Sequence, residues 1–139
     1  MAPYGAALLR LVLGVIYVMH GYLALFVYRP DGMANLIGKH VSPIAPAVLA
    51  WYLIVAHLLG GVLLILGLYT RWAALANVPI MAGAVFGIHA AQGFFLKGSI
   101  LDAAAGRAGV VGYEFTLLVL VATMAQAMLG GGAMAVTRD

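Results

Sequence analysis

Four stretches of this sequence are apolar for long enough to cross a lipid bilayer, and that property decides most of what the chain can fold into. They cover residues 6–27, 48–69, 72–91 and 112–129. Each is close to the roughly 20 residues that a helix needs to traverse the hydrocarbon layer. Inside lipid every backbone N–H and C=O has to be satisfied within the spanning structure. The sequence lacks the alternating apolar–polar strands that a membrane barrel would need. The expectation is therefore an all-α polytopic membrane protein, a single domain over residues 1–139, built as an antiparallel bundle of four transmembrane helices. Composition agrees, since 65% of the residues are hydrophobic and only 8% are charged, where a water-soluble domain carries about a quarter. The opening "MAPYG" has no basic residue, so the first segment reads as a retained span rather than a cleaved leader.

The connections are uneven. Only Thr70 and Arg71 separate the second and third segments, which predicts a tight hairpin with Arg71 as its anchor and Trp72 in the interfacial belt. The stretch 28–47 reads as a loop, with a turn at "YRPDG" and helix-breaking prolines in "SPIAP". The stretch 92–111 reads as a second long loop on the same side of the membrane. Arg10, Arg71 and Arg138 then face Arg29, Lys39, Lys97 and Arg107 across the bilayer, a near-balanced count. Arg10 is expected to snorkel out of the first turns of its helix, and long loops weigh less than short ones, which places both termini in the cytoplasm. Asn77 and Pro79 predict a kink in the third helix.

Several classes of function are excluded. Without cysteine there are no disulfides, iron–sulfur clusters, covalently attached haem or thiol chemistry. The basic residues are scattered singly, so the net charge of +3 leaves no nucleic-acid footprint. No residue spacing suggests a metal site.

What remains is a short set of ionisable groups inside the apolar segments: His20, His57, His89 and Glu114, one per segment. Such groups are costly in a bilayer and call for a reason. In antiparallel helices, His20 and His57 fall at similar depth, roughly 10–13 Å below the loop side at 1.5 Å per residue. His89 and Glu114 lie shallower on that side. Gly60 and Gly61 follow His57 at i+3 and i+4, so the three share a face suited to close helix packing. His20 stands beside Gly21 and one turn after Tyr17, which predicts interior packing there too. Three roles fit His20 and His57, in this order: an interhelical hydrogen bond, a quinone contact or proton relay, and bis-histidine ligation of haem b. Glu114 in "GYEFTLL" suits the positive end of a helix dipole, pairing with His89, or a proton role.

The motifs "LLRLVLGVIYVMHGYLALF" and "GGVLLILGLYTRWAAL", followed by "IHAAQGFF" and "GYEFTLLVL", resemble in order the pattern of the DoxX family. The resemblance implies a four-helix membrane bundle linked to redox metabolism, in the bacterial inner (cytoplasmic) membrane. Carried over by position, its motif residues are His20, Gly21, Gly61, Gly67, Arg71, His89, Gly93, Tyr113 and Glu114. The chain departs from the pattern at His57, where the family commonly has glutamate. It departs again at Leu23, Ala24 and Leu25, where a lysine is usual, and in the tail "GGGAMAVTRD".

Two functions follow as expectations. One is an accessory subunit packed in the membrane against a larger redox or electron-transfer complex, without catalysis of its own. The other is a small quinone-binding oxidoreductase component, in which His20 or His57 contacts the quinone and Glu114 passes protons.

Overall fold

In a computed structural model, which describes residues 1–95 and 112–137, every described element is helical. Helix α1 (Ala2–Tyr22) runs on through a π-helical turn, Leu23–Val27. Helix α2 (Arg29–His40) is short, and α3 (Pro46–Leu66) is long. Helix α4 (Thr70–Gly83) continues as a π-helical stretch, Ala84–His89, and a 3₁₀ turn, Ala90–Gln92. Helix α5 covers Glu114–Leu129.

Among the described residues, three helical runs are long and apolar enough to cross a membrane: Ala2–Val27, Pro46–Leu66 and Thr70–Gln92. The fourth expected span is α5, whose 16 residues make a rod of about 24 Å, short of a full hydrocarbon crossing. The lipid-facing stripe of α1 is plain. Leu8, Val12, Val15 and Met19 are exposed at helical spacing, while Ala7, Arg10, Leu13, Gly14, Tyr17 and Gly21 are buried on the opposite face.

The stretch 28–47 is not the loop that its turn signal suggested, because Arg29–His40 is helical. The same residues that read as a turn begin a helix well. Proline is tolerated in a first turn, where no intrahelical donor is needed. Asp31 lies in that turn while Lys39 and His40 close the last one, matching the dipole at both ends. Met33, Ala34 and Ile37 form an apolar edge that seats on Ala24, Ala50 and Ile54. Arg29, at φ 63°, makes the corner into α2. Of the second long connection, residues 96–111, with Lys97 and Arg107, lie outside the described residues.

Helices α1 and α3 pack closely, as do α4 and α5. The α1–α3 contact is glycine on glycine. A Cβ on Gly61 would stand 2.9 Å from Gly14 O and from Val18 N, and one on Gly14 would stand 2.8 Å from Gly61 O. Gly21 seats in the same way against Leu58. A larger residue at Gly61 would push the backbones apart.

Arg10 does not snorkel. Its side chain is 2% exposed and its guanidinium is spent on carbonyls. Nε donates to Gly131 O at 2.9 Å, Nη1 to Leu64 O and Ile65 O at 2.9 and 2.8 Å, and Nη2 to Ala133 O at 3.3 Å. The acceptors explain the burial. Leu64 and Ile65 end α3, where carbonyls lack the regular i+4 donor and the dipole is negative, and the tail after α5 folds back to supply the others. That tail is pinned elsewhere by Ala133 N to Pro3 O, Thr137 N to Gly67 O and Tyr69 N to Thr137 Oγ1. Arg71 acts similarly at the hairpin, with Nη1 donating to Ala127 O and Met128 O at the end of α5. Trp72 beside it is exposed.

Candidate functional site

Two apolar clusters form the interior. One holds Leu13, Tyr17, Leu64, Met81 and Val119, and the other lies under α2 around Ala24, Met33 and Ile54. Where they meet, the helices leave a cavity of about 500 Å³. Both π-helical stretches border it, through Leu23 and Ala24 on one side and Ala84, Ile88 and His89 on the other. A π turn re-aims the side chains that follow it, and such turns recur at functional sites. In α4 this departure from α geometry comes after Pro79, which is itself within the helix.

The cavity brings together three of the ionisable groups: His20, His57 and His89 all line it. Glu114 is not among its lining residues, although Phe115 and Thr116 beside it are. Glu114 opens α5, and its backbone N–H donates to Phe94 O at 3.0 Å. Among the described residues, no group of three or more His, Asp or Glu side chains is arranged to hold a metal ion.

His57 is buried as expected, at 5% exposure. Its Nδ1 lies 2.7 Å from Asn77 Oδ1, and its ring lies against Tyr17 with centroids 4.9 Å apart. His20 is a correction. It is exposed rather than packed, with Nδ1 2.9 Å from Ile16 O on its own helix. Tyr17 and Gly21, four residues apart, fill the stripe facing α3, and His20 stands one helical position off it, at the open edge.

The residue that sequence reasoning missed is Asn77, noted above only beside Pro79. It is fully buried, and its Nδ2 donates to Ala56 O at 3.1 Å and Ala73 O at 2.9 Å. Two carbonyls on the nitrogen fix the amide's orientation and turn Oδ1 to His57. Gly60 makes the room, since a Cβ there would be 2.7 Å from Asn77 Nδ2. The available signal was an uncharged amide within an apolar segment, a residue type as much in need of a partner there as histidine. A second buried pair supports the wall: Tyr17 Oη and Thr123 Oγ1 lie 2.5 Å apart. Thr123 gives its own proton to Val119 O at 2.7 Å, so Tyr17 is the donor between them.

Apart from Thr116, the remaining lining is apolar or aromatic, with Met33, Leu36, Ile37 and Val41 from the α2 side and Tyr52, Leu53 and Ile80 from α3 and α4. His20, Leu23, Tyr52 and Pro79 are also exposed, so the cavity is open at the surface of the apolar helical runs. A few polar atoms in an otherwise apolar chamber suit an amphipathic ligand with a compact ring and a greasy remainder.

A family model described as DoxX matches residues 5–90. The match takes in Arg10, His20, His57, Asn77 and His89 but ends before Glu114, leaving the last of the four sequence motifs outside it. A protein of Haemophilus influenzae, described as an uncharacterized protein, is 37% identical over 92 residues. That alignment covers 64% of this chain and 62% of the relative, so it reaches less than two thirds of the relative's length. No solved structure matches.

Proposed function

This chain belongs to the DoxX family, and from that premise we propose that it binds a lipid-soluble quinone within the membrane. One observation carries the reading: a cavity of about 500 Å³, open at the surface of the apolar helices and apolar along most of its wall, with His20, His57 and His89 among its lining residues. The quinone ring sits against the histidines and the isoprenoid tail leaves between the helices, so the ligand enters from the bilayer without crossing water. In this reading α5 is the fourth span, thinning the bilayer locally at its short length. The protein lies in the bacterial inner membrane with both termini cytoplasmic. Glu114 serves as the first-turn carboxylate of α5, outside the ligand's immediate surroundings.

Haem b is the second reading, favoured by the Nδ1 partners of His20 and His57, which leave both Nε2 atoms available. Docking as an accessory subunit rests on the exposed apolar faces of α1, α3 and α5, which lipid contact explains equally well.

The test is purification from native membranes in mild detergent, followed by solvent extraction and an absorption spectrum. Near-stoichiometric quinone without a Soret band, and a thermal shift with added decylubiquinone that His57→Phe removes, is the expected outcome. A quinone-free preparation that no added quinone stabilises would defeat the reading, and a Soret band would replace it with haem.

A further inference from the structure

The hydrogen-bond partners around the cavity decide which form of a quinone it suits. His57 Nδ1 faces Asn77 Oδ1, and that oxygen can only accept, because the amide nitrogen is committed to Ala56 O and Ala73 O. His57 Nδ1 is therefore the N–H of the ring, and in neutral imidazole the other nitrogen, Nε2, carries a lone pair. The same reasoning holds for His20, whose Nδ1 faces the carbonyl of Ile16 and so donates to it. Its Nε2 is again a bare acceptor.

Neither Nε2 has a partner among the described residues. Among the described residues, the sealed side-chain atoms without partners are Thr70 Oγ1 and Gln126 Oε1. His57 Nε2 is not one of them, so on this cavity-lining residue it opens into the chamber.

The hydroxyls along the wall follow the same pattern. Tyr17 donates to Thr123, Tyr52 to Ala76 O at 2.5 Å and Thr116 to Tyr113 O at 3.0 Å. Each donor is used inside the protein and each oxygen keeps acceptor capacity. Tyr28, exposed at the surface, carries a lining hydroxyl with no hydrogen bond among the described residues.

We propose that the cavity selects the hydroquinone over the quinone state of its ligand, because His57 and His20 face it as hydrogen-bond acceptors. This rests on the quinone reading above and names the form bound. A hydroquinone O–H completes a bond with an imidazole lone pair. A quinone carbonyl in the same place sets acceptor against acceptor and leaves Nε2 unsatisfied, which is the side of the balance that costs most in a dry site. Asn77 is a positioning residue here. It touches no ligand and acts by holding the tautomer of His57, with Gly60 keeping space for its amide.

The experiment uses the full chain in lipid nanodiscs under argon, with decylubiquinol, decylubiquinone and the dimethyl ether of the hydroquinone as probes. Decylubiquinol is expected to bind at least about tenfold tighter than either of the others. Asn77→Leu and Gly60→Ala free the imidazole to exchange tautomers and are expected to reduce that ratio below about threefold. Should both variants fail to fold, ¹⁵N spectra of histidine-labelled wild type read the tautomers directly, with protonated Nδ1 and bare Nε2 expected at His57 and His20. Equal affinities, or tighter quinone binding, would overturn the proposal while leaving the quinone reading standing. So would a protonated Nε2 on neutral His57, or a preference that vanishes in Tyr28→Phe but persists in Asn77→Leu. If no form binds, or a Soret band appears, both fall together.

Discussion

Replacing Arg10 with methionine removes a guanidinium that holds the end of α3 and the C-terminal tail together while keeping a side chain of similar length. Four carbonyls lose this donor: Leu64, Ile65, Gly131 and Ala133. The bonds to Leu64 and Gly131 are buried; Leu64 O keeps the Gly67 N–H at 3.2 Å, but Gly131 O loses its side-chain donor, and a buried acceptor left bare costs about 1–3 kcal/mol. The other two are partly buried and regain some solvation. With the other charge-assisted bonds lost as well, the expected loss is about 2–5 kcal/mol, a large share of a typical domain's margin. Lysine keeps the charge but cannot reproduce the planar fork, so Arg10→Lys is expected to recover about half. Deleting the chain from Gly131 onward removes two of the same acceptors, so the double change should fall short of additivity by about 0.5–3 kcal/mol. Equilibrium unfolding in a fixed detergent, followed by circular dichroism and tryptophan fluorescence, measures all of these. A loss below about 1 kcal/mol for Arg10→Met, on the scale of a surface substitution, would refute the stapling role. Strict additivity with the truncation would refute it too.

Two further outcomes follow from the packing. Gly61→Ala puts a methyl against backbone atoms of α1 at 2.9 Å, where only movement of a whole helix relieves the contact; a loss of about 1–3 kcal/mol is expected in the same unfolding assay. Thr123→Val strips Tyr17 of its acceptor and should cost about 1 kcal/mol, in the upper range for a membrane hydrogen bond. Adding Tyr17→Phe should restore part of it, since removing both partners leaves no orphan.

The helices themselves were legible because lipid demands long apolar runs: each of the four expected runs is mostly helical, and three of them lie on helices long and apolar enough to cross a membrane. The face of His57 was legible for a similar reason, as glycines at i+3 and i+4 mark a side that backbones can approach. Arg10 was not. Its burial depends on carbonyls from α3 and from a tail more than a hundred residues away, and no local pattern reports where a chain returns. The α2 helix was hidden because proline and aspartate after a bulky residue serve a turn and a helix start equally well. His20 was misplaced because a helix face is fixed only to within about a residue, and the packed stripe passes beside it. Asn77 was overlooked because its task is set by the tautomer of a neighbour on another helix, which only the assembled bundle reveals.

The measurement that goes most directly to the central claim is photo-crosslinking with a diazirine-bearing quinone in native-like membranes, mapped by mass spectrometry. Labels concentrated on cavity residues such as Tyr52, Met81 and Val119, and displaced by excess unlabelled quinone, are the result expected. Labelling spread over Leu8, Val12, Val15 and the other lipid-facing residues, undiminished by competitor, would contradict a quinone site in this protein.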